Sequence, residues 1–220
     1  SWHHLWLSEG FATYFGGLFF EATDGVEGFR ERMEQSRQDI LESQDMNRPV
    51  VDLDEQDLFA LLNDNNYQKG GWVLHMLRGL LGDEVFFAGI REYYRRYLHT
   101  AVLTEDLQAV MEETSHQDLS WFFAQWIHSP GYPVLEVEEE WIPGEDGTGE
   151  SVVTVQQVQK PAWPRFRVPL TLCWGEEPTQ VCRDITSGSH EDTFRFRFQT
   201  RPTSPVMLDP DGWVLKGDTR

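Results

Sequence analysis

Residues 5–15 read Leu5-Trp6-Leu7-Ser8-Glu9-Gly10-Phe11-Ala12-Thr13-Tyr14-Phe15, an apolar run with one carboxylate in its middle. Together with Phe19 and Phe20, the apolar residues recur at spacings of one, three, four and five. That pattern predicts a helix packed on more than one side. Burying an unpaired carboxylate is costly. Glu9 therefore either lies on a solvated stripe or against a neighbouring helix, or it serves as a metal ligand or catalytic acid. Spacing alone leaves both readings open.

Outward from this run, helical texture continues to about residue 130. A second helix fits Gly28 to Leu41, and a short apolar one fits Asp57 to Leu62 inside an acidic loop. Asn65 or Asn66 can cap a helix from Tyr67 to Leu81, which Gly82 closes. Asp83 is the expected cap of Glu84 to Leu98 and Thr104 that of Glu105 to Ser115. Asp118 or Ser120 opens a last helix through Trp126 and Ile127 that stops before Pro130. The segment Ser129 to Pro133 breaks the pattern. Beyond it Val134–Glu138, Val152–Val155, Phe166–Leu170 and Phe194–Phe198 are short, mostly alternating runs. They predict about seven short antiparallel strands in a small β-sandwich. The fold class expected is α+β, with a helical part over residues 1–132 and a β-sandwich over residues 133–220.

The whole chain has 220 residues and a formal charge of −19, from 18 Lys+Arg against 37 Asp+Glu. A surface of that sign repels phosphate backbones and anionic headgroups, and no basic patch offsets it, so no nucleic-acid partner is expected. No apolar run approaches the roughly 20 residues of a membrane span. Ser1 leads directly into the helical run with no signal segment, which reads as an internal start and leaves the compartment open. Cys173 and Cys182 bracket a turn-like stretch across which two hairpin strands can face each other, and both the bonded and the reduced form suit that spacing.

Tyr67 stands at the start of its helix between Asn63-Asp64-Asn65-Asn66 and Gln68-Lys69-Gly70-Gly71. A phenol there can donate to a developing oxyanion, or anchor its ring on the core with a wet hydroxyl. Gly70 and Gly71 read as close helix contacts, because no strand-to-helix loop makes them a phosphate cradle. None of the seven His has another His four residues on, so the zinc-protease H-E-x-x-H motif is absent from this sequence. His3 and His4 are adjacent, face different sides of a helix, and read as structural or surface residues.

The run from Leu5 to Phe15 resembles the W-L-N-E-G-F-A segment of the aminopeptidase N family of zinc metallopeptidases, of the gluzincin type. Tyr67-Gln68-Lys69-Gly70-Gly71 resembles its Y-x-K-G segment. The stretch Trp126 to Pro133 resembles the passage from its catalytic domain into a β-domain. The resemblance implies that residues 1–132 are the helical C-terminal part of a thermolysin-like catalytic domain. It implies that Glu9 is the third protein ligand of a catalytic Zn²⁺ and that Tyr67 stabilises the tetrahedral intermediate. The implied substrate is a peptide, shortened from its N-terminus. Ser8 stands where the family usually has Asn. The family's H-E-x-x-H helix lies further upstream of Glu9 than the eight residues present, and its G-x-M-E-N loop is missing too. The chain thus carries one of three zinc ligands and one oxyanion donor, and by itself is expected to be inactive. The alternative is a non-catalytic relative that uses the same scaffold for protein interaction. A peptide- or glycan-binding role for the β-sandwich rests only on Trp141, Trp163 and Trp174, which core packing explains more simply.

Overall fold

A computed structural model describes residues 1–218, which divide into two compact units, Ser1–Gly131 and a second that starts at Tyr132. The first contains α1 (Trp6–Glu42), a π-helical turn (Asn65–Lys69), α2 (Gly70–Leu81), α3 (Asp83–Tyr97), α4 (Thr104–Ser115) and α5 (Ser120–Trp126). The two helical stretches expected within residues 5–41 are one helix with a kink at Gly25, whose φ of 79° and ψ of −175° are open to a residue without Cβ. A 3₁₀ turn over Leu58–Leu61 follows the Asp57 cap, and the Asp57 carboxylate accepts from Phe59 N–H at 3.0 Å.

The core of this unit gathers where α1 crosses α2. Trp6, Tyr14, Ile40, Leu74, Leu77 and Phe86 are fully buried there. The Tyr14 ring meets Phe29 and Phe86 edge-on, and burial pushes its phenol up to about 12. Below it Arg78 of α2 forms paired hydrogen bonds with Glu21 of α1 and with Asp83 of α3, at 2.7–3.1 Å. One guanidinium thereby ties three helices through charge-assisted, forked bonds.

Three caps differ from expectation, each because a tertiary partner takes the side chain. Asp83 is the first residue of α3 and its carboxylate binds Arg78, while Gly82, at φ 77°, makes the turn. Thr104 is the first residue of α4. Its hydroxyl accepts from the Trp6 indole N–H and bonds His4 Nδ1, both at 2.9 Å, and the Asp106 carboxylate caps instead by accepting Leu103 N–H at 2.8 Å. Asn65 and Asn66 are buried inside the helical turn, whose first N–H groups are taken by the Asn63 side chain. The Asn65 amide nitrogen donates instead to the carbonyls of Asp45 and Arg48.

The second unit contains β1 (Val134–Pro143), β2 (Gly149–Gln157), β3 (Val168–Trp174), β4 (Val181–Ser187), β5 (Glu191–Phe198), β6 (Met207–Leu208) and β7 (Gly217–Asp218). They form a four-stranded sheet in the order β5-β2-β1-β7 and a three-stranded sheet in the order β4-β3-β6. Every pairing is antiparallel except β1 with β7, which run parallel, a departure from the expected all-antiparallel sheet. Parallel neighbours need a long crossover, and here the whole stretch between β1 and β7 supplies it. Phe166, expected in a strand, lies before β3. Its N–H and C=O bond the Gln157 carboxamide at 2.9 and 2.7 Å, so a side chain replaces the ladder.

Trp174 is buried in this unit, and Trp141 and Trp163 are half-buried. Glu139 of β1 accepts from Trp174 Nε1, from the Ser151 hydroxyl and from Val206 N–H at 2.5–2.8 Å, pinning the segment before β6. Cys173 and Cys182 are directly opposed on β3 and β4 and joined as a disulfide.

Candidate active site

Glu9 and Tyr67 are brought together by a close backbone approach between α1 and the start of α2. A Cβ built on Gly10 would lie 2.8 Å from Gly70 C and 2.9 Å from Gly70 Cα. One on Gly71 would lie 3.2 Å from the Thr13 methyl. Glycine at position 10 lets α1 rest directly on the start of α2, and a Cβ on Gly70 would be tight at 3.1 Å from Gly10 Cα. That contact is what Gly70 and Gly71 are for.

The turn leading into it is widened. Lys69 N–H donates to Asp64 C=O at 2.9 Å and Gly70 N–H reaches Asn65 C=O, both spanning five residues, the π-helical pattern. Tyr67, expected at the first turn of an α-helix, sits in the middle of this π-turn. Glu9 and Tyr67 are both half-buried, and the Tyr67 phenol lies within electrostatic reach of the Glu9 carboxylate. Burial first, and then the negative charge of Glu9, raise the ionisation of Tyr67 above its ordinary value. The phenol is therefore protonated at neutral pH and able to donate.

Among the other residues singled out, Ser8 is exposed next to Glu9. His3 Nε2 lies 3.2 Å from Glu55 C=O. His4 Nδ1 accepts from Thr104 N–H at 3.0 Å, and burial lowers its basicity. Both His thus hold loops to the start of α1. Two residues near the site have no signal in the spacing. Lys69 is wholly enclosed at the end of the π-turn, and Thr104 orients the Trp6 indole on the turn before Glu9. A lysine directly before two glycines that pack on another helix is, in retrospect, the sequence hint for the first.

Among the described residues no group of three His, Cys, Asp or Glu is placed to hold a metal ion. No helix among the described residues is long and apolar enough to cross a membrane.

The description "Peptidase family M1 domain" matches residues 1–126, the stretch that contains both Glu9 and Tyr67. The chain belongs to peptidase family M1. Aminopeptidase M1 of Arabidopsis thaliana is 28% identical over 208 residues, which cover 86% of this chain and 22% of that protein. Aminopeptidase M1-A of Oryza sativa is 31% identical over 208 residues, covering 87% and 22%. Aminopeptidase N of Lactococcus lactis is 31% identical over 144 residues, covering 62% and 17%. The crystal structure of Legionella pneumophila aminopeptidase A in complex with aspartic acid matches the whole chain with a TM-score of 0.76 at 19% identity, over 24% of its own length. That likeness establishes the α+β fold of this M1 chain. The M1 chain spans less than a quarter of the relatives it matches.

Proposed function

We propose that the chain is part of a zinc aminopeptidase that hydrolyses N-terminal residues from peptides, with Glu9 a protein ligand of the metal and Tyr67 the donor to the oxyanion. The observation that carries this reading is the Glu9–Tyr67 pair, set by the Gly10–Gly70 contact inside the segment that matches the M1 family. Glu9 is an oxygen donor of the kind zinc takes alongside His nitrogens, and its half-exposed position leaves a face open for further ligands from beyond this chain. Zinc, when bound, supplies carbonyl polarisation and an acidified water. Tyr67 contributes a neutral O–H on a constrained turn, within electrostatic reach of the carboxylate and available to an oxyanion when that carboxylate is otherwise engaged.

With one ligand and one donor, the isolated chain neither holds zinc tightly nor cleaves peptides. Metal analysis and aminopeptidase assays test both halves. In the longer protein that contains this segment, stoichiometric zinc and chelator-sensitive activity are expected, both lost in Glu9→Gln. The 220-residue chain dialysed against zinc is expected to retain well under one zinc per molecule. Stoichiometric zinc together with chelator-sensitive activity in the isolated chain would refute its predicted inactivity. A longer protein without zinc or activity would instead make it a scaffold.

A further inference from the structure

Lys69 closes the π-turn that carries Tyr67, and its side chain is 0% exposed. Its ammonium would bring three donors into that enclosure, yet Nζ has no hydrogen-bond partner. Acceptors are present in the same turn. The side-chain oxygens of Asn65, Asn66 and Gln68 are buried and unpartnered too, but none is on the amine. The chain's other two lysines are differently placed: Lys160 lies over the Trp163 ring at 4.3 Å, and Lys216 pairs with Asp209 at 3.2 Å.

Titratable and charged groups near the turn include Glu9 and Tyr14 on α1, Asp45, Arg48 and Asp64 at its start, Tyr67 within it and His75 on α2. None is hydrogen-bonded to Nζ. Burial alone moves the amine down to about 7. A charged group shut away from water and from every acceptor has two ways out, to lose its proton or to leave. Leaving is not a local matter here, because Gly70, the next residue, has its backbone against Gly10.

We propose that Lys69 is a positioning residue whose neutral amine lets the π-turn seat, and that its protonation expels the side chain, unwinds the turn and parts the Tyr67 phenol from the Glu9 carboxylate. The catalytic consequence rests on the roles proposed for Tyr67 and Glu9; the conformational change does not.

With only three lysines, ¹³Cε-lysine NMR of the chain reads the amine directly. One signal, absent from Lys69→Met, is expected to titrate near 7, well below the range of an ordinary lysine. The Tyr67 ring signals, assigned with Tyr67→Phe, are expected to shift over the same interval in the parent chain. They are expected to stay fixed between about pH 6 and 8 in Lys69→Met, with Lys69→Gln as the second variant should the Met form not fold. A Lys69 signal that titrates above about 9, or Tyr67 signals that move alike with and without the amine, overturns the proposal. If the coupling is seen while Tyr67→Phe leaves kcat of the longer protein unaltered, the positioning role stands and the role proposed for Tyr67 falls.

Discussion

In the role proposed for it, Tyr67 acts through a single O–H, so its proton must be present when it is needed. Burial and the Glu9 charge both act in that direction, lifting its ionisation above the ordinary value of about 10. In the longer protein, Tyr67→Phe is expected to lower kcat by about 10²–10³-fold, the usual loss for one oxyanion donor, with KM changed less than a few fold. Steady-state kinetics checks this, and a kcat within about threefold of the parent removes the role. At this scale the sequence was informative about which residues to watch and silent about what they touch. Glu9 stands out because a carboxylate in an apolar run is expensive, which is a property of the run itself. Enclosure of Lys69 is not, because it depends on chain that folds over it from elsewhere. Thr104 and Asp83 show the same divide. Both are good N-cap types next to helix starts, yet Trp6 and His4, about a hundred residues away, take the side chain of Thr104, and Arg78 on the preceding helix takes that of Asp83.

Among the elements, the crossing of α1 on the start of α2 decides the site. The two helices approach until Gly10 and Gly70 touch, and each side-chain position around that contact inherits its place from it. Gly10→Ala sets a methyl 2.8–2.9 Å from backbone atoms of Gly70, and backbone cannot rotate away as a long side chain can. We expect a loss of about 1–3 kcal/mol in urea unfolding, the usual range for overpacking, together with separation of the Tyr67 and Glu9 groups. Unchanged stability would mean that the helices part at no cost and that the contact does not set the site. Helices were legible as elements because their apolar period, acidic first turns and closing Gly82 are local. The π-turn was not, since one extra residue per turn leaves the apolar pattern nearly unchanged over five positions. Likewise β4, whose residues are mostly exposed, has no buried face to impose an alternation.

The molecule as a whole is two units that hold themselves together by different means. The helical one uses a buried aromatic and aliphatic core with the forked guanidinium of Arg78 tying three helices. The β unit has smaller sheets, a three-way carboxylate clasp at Glu139 and the Cys173–Cys182 bond across β3 and β4. That bond closes a loop with a sequence separation of 9, which corresponds to about 2–3 kcal/mol in the chain-entropy account. Reduction with alkylation is expected to destabilise the β unit by about that much, read from the Trp174 indole NMR signal during urea unfolding. No shift in the midpoint would show the bond to be energetically idle.

From its residues alone this chain determined its class, an acidic α+β protein with helices first and strands after Pro133. It also determined the type of two groups able to do chemistry, because periodicity, breakers and a misplaced carboxylate are all written locally. Only the tertiary structure decided that Glu9 and Tyr67 meet, that the cysteines are bonded, that β7 runs parallel to β1 and that Lys69 has nowhere to put a charge. Each of those depends on which distant segment arrives beside which. That is settled by packing and hydrogen-bond satisfaction over the whole unit, where a tertiary partner such as Arg78 or Trp6 outbids a local cap.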